Sequence, residues 1–161
     1  MDRNGRYFAL DIAKYIVNYC NTQVASQDDS KGCSIRKEIT HLRLQKTLYF
    51  AWIEYYKAKG RYLYADEIQA WNLGPVVPDV YYEYCMYGGA PIKKTYNSDI
   101  VDEEDKRILN RCIDKCNTKK VSELVHETHR VDRPWDIIYS SIDDRKVIPF
   151  DLIIAIECEG V

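Results

Sequence analysis

Apolar residues recur at three- and four-residue steps through most of this chain, the pattern of helices that bury one face. Near the start, Phe8, Ile12, Ile16 and Tyr19 or Cys20 keep that spacing and predict a helix beginning near Tyr7. The pattern lapses in "NTQVASQDDSKGCS", whose Ser, Asp and Gly content predicts a flexible loop over residues 22–38. It resumes in "HLRLQKTLYFAWIEYYKAKG", a long central helix over about residues 41–59. Thr40 is its expected N-cap and Gly60 its C-terminal stop.

Projected at about 100° per residue, Leu42, Leu44, Leu48, Tyr49, Ala51, Trp52, Ile53, Tyr55 and Tyr56 cover a wide arc. An arc that wide predicts contact on two sides. Arg43, Lys46, Glu54 and Lys57 project to the opposite, polar face. Gln45 falls within the arc. There a buried amide must find partners, so it either pins neighbouring backbone or reaches solvent at the arc's edge.

Beyond Gly60, "EIQAW" predicts a short extended segment near residues 67–71, and Gly74-Pro75 breaks the chain. Pro78 suits the first turn of a helix that runs through "DVYYEYCMY" to Gly88-Gly89. Asp102 is the expected N-cap of the next helix, with Ile108, Leu109, Cys112, Ile113 and Cys116 as its apolar stripe. A shorter helix over about Val121 to Thr128, a helical turn near Trp135 and a final helix started by Pro149 complete the pattern. With so little strand, the fold class is mainly α: one compact helical domain over residues 1–161, with a minor β element.

Charge and composition narrow the function. Formal charge is −2, from 23 Lys and Arg against 25 Asp and Glu, without the basic excess that displaces phosphate counterions. Direct nucleic-acid binding is not expected. No apolar run approaches the roughly 20 residues that span a bilayer, so no membrane role is expected and the protein reads as cytoplasmic. Six cysteines, at 20, 33, 85, 112, 116 and 158, follow no disulfide framework and read as reduced thiols. The unusual count is 14 tyrosines, a residue as suited to a half-wet core as to an interface.

Candidate chemistry is sparse. Cys112, Cys116, His126 and His129 suggest zinc by type, but their spacing fits no finger module and both cysteines lie on an apolar stripe. His126, His129 and Asp132 could form an acid/base relay, yet no motif supplies a nucleophile, and no phosphate or dinucleotide loop is present. No cofactor is expected. A pocket converging His129, Asp132 and Arg43 would mark a small hydrolase or nucleotide-modifying enzyme. A flat or grooved aromatic face would mark a binder.

Four segments, "ITHLRLQKTLYFA", "EIQAWNLGPVVPDVY", "YGGAPI" and "LVHETHRVDRPW", together with "DIAKYI", resemble in order and spacing the Panacea domain, the SocA-like or GepA-like antitoxin domain. The resemblance implies a mostly helical domain of bacteria and their phages that neutralises a toxin, usually by direct binding, with no established catalysis. One relative acts instead as an adaptor delivering its toxin to a protease. This chain reads as the bare domain, without an appended helix-turn-helix.

The expected partner is therefore a cognate toxin. Beside it stand a mobile-element factor that inhibits a host defence protein, and a proteolytic adaptor. The candidate partner-binding residues are Arg43, Lys46, Trp71, Val76, Val77 and Tyr82, with Arg43 and Lys46 on the polar face beside the Trp71 to Val76 segment and the "HRVDRPW" loop. Gln45, Gly74, Pro75, His129, Pro134 and Trp135 are read as scaffold. In that reading Gln45 and His129 hydrogen-bond the Gly74-Pro75 turn and Trp135 packs under it.

Overall fold

The computed structural model describes residues 4–25 (side chains to residue 22), 38–142 and 144–160. Its centre is α2, His41–Lys59. Thr40 accepts the Arg43 N–H at 3.3 Å to start this helix, and Gly60, at φ 67°, ends it by donating to the Tyr56 carbonyl. Around it pack α1 (Ala9–Ala25), α3 (Pro78–Tyr84), α4 (Glu103–Asn117) and α5 (Val121–Thr128). The last helix, α7 (Phe150–Ile153), runs into a π turn over Ile154–Cys158 that also packs on α2. The short α6, Pro134–Ile138, lies beside α5. The fold is mainly α with a small β element.

That element is a hairpin of β1 (Gln69–Trp71) and β2 (Gly74–Val76), antiparallel, with Gln69 opposite Val76 and Trp71 opposite Gly74. The strand after Gly-Pro differs from the expected plain break. Pro75 is tolerated because β2 is an edge strand, where a missing N–H removes no second ladder bond. The other side of β1 is covered by residues 146–148: the Ala70 N–H donates to the Lys146 carbonyl, and the Ile148 N–H to the Ile68 carbonyl.

Tyrosines join α1 and its approach to α4. The hydroxyls of Tyr7, Tyr15 and Tyr19 donate to Asp105, Asn110 and Asp114 at 2.6 to 2.8 Å. Tyr64 and Tyr84 are fully buried, with hydroxyls bonded to the Leu48 carbonyl and to Tyr96. Most of the tyrosine excess thus belongs to the scaffold, as apolar rings whose polar tips find partners inside.

Two sequence expectations are corrected here. Phe8 does not join the buried face of α1; that helix starts at Ala9, and the Phe8 ring is 73% exposed. Arg43 and Lys46 do not lie on a solvent face; both are buried, because α4, α5 and β2 close over the side of α2 that the charges seemed to expose. Of the loop expected over 22–38, residues 22–25 extend α1, and 26–37, with Cys33, lie outside the described residues.

Candidate functional site

Where the hairpin meets α2 and the α5–α6 segment, most of the residues singled out from the sequence come together. Gln45, buried on α2, accepts the Val77 N–H at 2.9 Å and donates to the Val77 carbonyl at 3.4 Å. The next residue on the helix, Lys46, is fully buried and donates from Nζ to the Pro75 carbonyl at 3.1 Å. Burial holds its ammonium down, to about 7. The hairpin and the residue that follows it are thus tied to α2 by two side chains, one on the backbone of Pro75 and one on that of Val77.

Gly74 makes the close approach possible. Its φ is 113°, and a Cβ there would sit 2.8 Å from both Lys46 Nζ and Thr128 Oγ1. Only glycine meets both conditions.

On the other side of the hairpin, Trp135 donates from Nε1 to the Trp71 carbonyl at 2.7 Å, and its ring stacks on His129 at 3.8 Å and 3°. The Leu73 backbone favours the charged form of His129, while its buried Nε2 has no hydrogen-bond partner among the described residues. Its pKa is lowered by burial first and by the Lys46 charge second. His41 is lowered by the same two causes. Pro134 occupies the first turn of α6 and is buried, setting the angle at which Trp135 reaches the hairpin.

Of the candidate partner-binding residues, Trp71, Val76 and Val77 are buried along with Arg43 and Lys46. Arg43 serves α4: Nη1 donates to the carbonyls of Cys116 and Lys119 at 2.9 Å each, a cation at a helix C-terminus. Trp71 lies between Tyr81, with ring centroids 4.7 Å apart, and the Arg145 guanidinium, 3.8 Å above its ring. Tyr82 remains outside, 61% exposed, with its ring edge-on to Tyr81.

Sequence reasoning missed Met86, 79% exposed one turn beyond Tyr82, and Leu73, 52% exposed at the hairpin tip. The four-residue step from Tyr82 to Met86 was a signal for the former. Leu73 gave none, since an isolated leucine in a turn cannot be told from a core residue by spacing.

The elements of an enzyme site do not converge. Asp132, at φ 62°, bonds through its N–H to the Asp136 carboxylate, while His129 and Arg43 face the separate partners already described. Cys112 and Cys116 are buried on α4 and His126 is exposed on α5. Among the described residues, no three His, Cys, Asp or Glu side chains are grouped to hold a metal ion, and no helix is long and apolar enough to cross a membrane.

No solved structure matches. Antitoxin SocA of Caulobacter vibrioides (strain NA1000 / CB15N) is 30% identical over an alignment 122 positions long that covers 67% of this chain and 64% of that relative. The chain thus spans a little under two thirds of the length of the curated relative it matches. The family described as "Antitoxin SocA-like, Panacea domain" matches residues 44–136, a stretch that begins on α2, takes in the whole hairpin and ends just after the Trp135 that bonds to it. On that match the chain belongs to the SocA-like Panacea antitoxin family.

Proposed function

We propose that this protein is an antitoxin that neutralises a protein toxin by binding it directly, without catalysis, in the cytoplasm. The observation that carries the reading is membership of the antitoxin family. Three features support it. The polar groups of Gln45, Lys46 and Trp135 are spent on holding the hairpin and the residue that follows it. The five described cysteines are free, as a reducing compartment would keep them. Tyr82 and Met86 offer large exposed side chains, Tyr82 backed by the Tyr81 ring that packs on Trp71, the kind of anchor that concentrates binding energy.

In this proposal the toxin docks on the α3 face around Tyr82 and Met86, and Trp71, Val76 and Val77 act from beneath by fixing the position of α3. The remaining candidates, Arg43 and Lys46, act only through the scaffold. The test is to express the product of the neighbouring open reading frame alone and with this protein. Growth arrest relieved by the wild type, with the two proteins co-purifying, is the expected result. The Tyr82→Ser/Met86→Ser variant should fold normally and relieve the arrest poorly. Failure of the wild type to relieve arrest or to bind the toxic product would overturn the reading. A toxin pool that disappears on co-expression would replace blocking with delivery to a protease.

A further inference from the structure

On the side of the molecule where α1 and α4 begin lies an open groove of about 750 Å³, walled by the N-terminal segment from Asn4 to Phe8, the turn at Ala65 and Asp66, and the approach to α4. Its walls are fixed. The Arg6 and Tyr7 N–H groups donate to the carbonyls of Tyr62 and Leu63, and Gly5 lies so close to the next segment that a Cβ would meet Ala65 N at 2.4 Å. The Tyr7 hydroxyl donates to Asp105 and accepts the Asp102 N–H, tying the same wall to α4.

The groove combines two features that water alone does not explain. Phe8 is 73% exposed and Ile100 is 49% exposed, both as lining residues. Between them stand three carboxylates and one cation. Arg6 is committed to Asp102. Asp66 spends one oxygen on the Ala9 N–H at 2.9 Å, and among the described residues neither it nor Asp11 has an ion-pair partner. The α1 dipole answers part of this charge. The remainder faces an apolar slot, and a Lys or Arg carrying its charge beside an aliphatic or aromatic neighbour complements both features at once.

We propose that this groove is a second docking site, taking a short segment of a protein partner in which Lys or Arg alternates with Leu or Phe. The cation pairs with Asp11 and the second oxygen of Asp66, and the apolar side chain enters between Phe8 and Ile100. The site is separate from the α3 face and does not depend on the toxin reading.

A fluorescein-labelled KLKFKL peptide, followed by polarisation, tests it against ELEFEL and KSKSKS controls. Saturable binding of KLKFKL is expected, weakened about tenfold or more by Phe8→Ser/Ile100→Ser, with an unchanged thermal midpoint because both side chains are exposed, and severalfold by Asp11→Asn. Amide shifts at Phe8, Asp11 and Ile100 should map the site. Equal binding of ELEFEL or of KSKSKS, equal affinity of the variants, or no saturation by about 1 mM would overturn the proposal. So would self-association of the wild type that Phe8→Ser abolishes, which would assign the groove to a second copy of the chain.

Discussion

The side-chain amide of Gln45 satisfies both backbone groups of Val77, accepting its N–H at 2.9 Å and donating to its carbonyl at 3.4 Å, with both residues buried. Replacing Gln45 by Leu keeps the volume and strands a donor and an acceptor together. Each unsatisfied group costs about 1–3 kcal/mol, so a loss of about 2–4 kcal/mol is expected. Urea denaturation should show a lower midpoint at unchanged slope. A change under about 0.5 kcal/mol would mean that water takes the place of the amide.

Lys46 imposes a pH dependence of unusual sign for a lysine. Its folded-state pKa is held down, to about 7, so the fold prefers the neutral amine. Above the ordinary value near 10.5 this costs nothing. The cost grows as pH falls from there to about 7 and then stays constant, on the order of several kcal/mol. The lowered pKa values of His41 and His129 add to it as pH falls below about 6.5. Lys46→Met removes the lysine contribution and leaves the Pro75 carbonyl without its donor, at about 1–3 kcal/mol. The variant should be more stable than wild type at pH 6, and the advantage should shrink or reverse by pH 10. With the ammonium gone, both histidines should titrate at higher pH by NMR. A stability difference that is flat with pH would overturn the account.

These two neighbours on α2 mark where sequence reasoning holds and where it stops. Thr40 and Gly60 gave the helix ends because caps are local. Gln45 was placed inside the arc, where the fold uses it. Lys46 projects to a polar face because a helical projection gives a direction and not what stands in that direction. Here β2 and α5 do, and β2 was itself hidden, since Gly-Pro is more often a break than a strand. Phe8 fits the apolar period of α1 but precedes its first turn, so the spacing misled. The spacing gives no sign of the bond from Trp135 to Trp71, 64 residues away; only the family resemblance puts that ring under the turn.

Gly74 should tolerate no side chain. Gly74→Ala combines a φ of 113° with a methyl group 2.8 Å from Lys46 Nζ and Thr128 Oγ1. Backbone strain alone costs about 1–3 kcal/mol, and moving the lysine also breaks its bond to Pro75. Gly74→Ala is therefore expected to fall below Lys46→Met in thermal midpoint. The double variant should recover part of the loss, because methionine can retreat without abandoning a hydrogen bond. Full additivity of the two changes would show that the methyl does not act through Lys46.

Thiol reactivity reads the packing around α4 independently. Cys85 is exposed, whereas Cys20, Cys112 and Cys116 are buried and Cys158 is half-buried against α2. Desolvation pushes the Cys20 and Cys158 thiols up to about 11, and the bond to Cys116 together with burial raises Cys112 further. Cys116 goes the other way, lowered by its Cys112 neighbour, but it is buried and has no access to solvent. In a Cys33→Ser background, a disulfide reagent at pH 8 should therefore release one equivalent rapidly, lost in Cys85→Ser. The others should follow only as the protein opens, at a rate that rises with urea. Rapid reaction of Cys116 in the native state would show that α2 and α4 part readily, and the rigid scaffold argued for Arg43 at the end of α4 would fall with it.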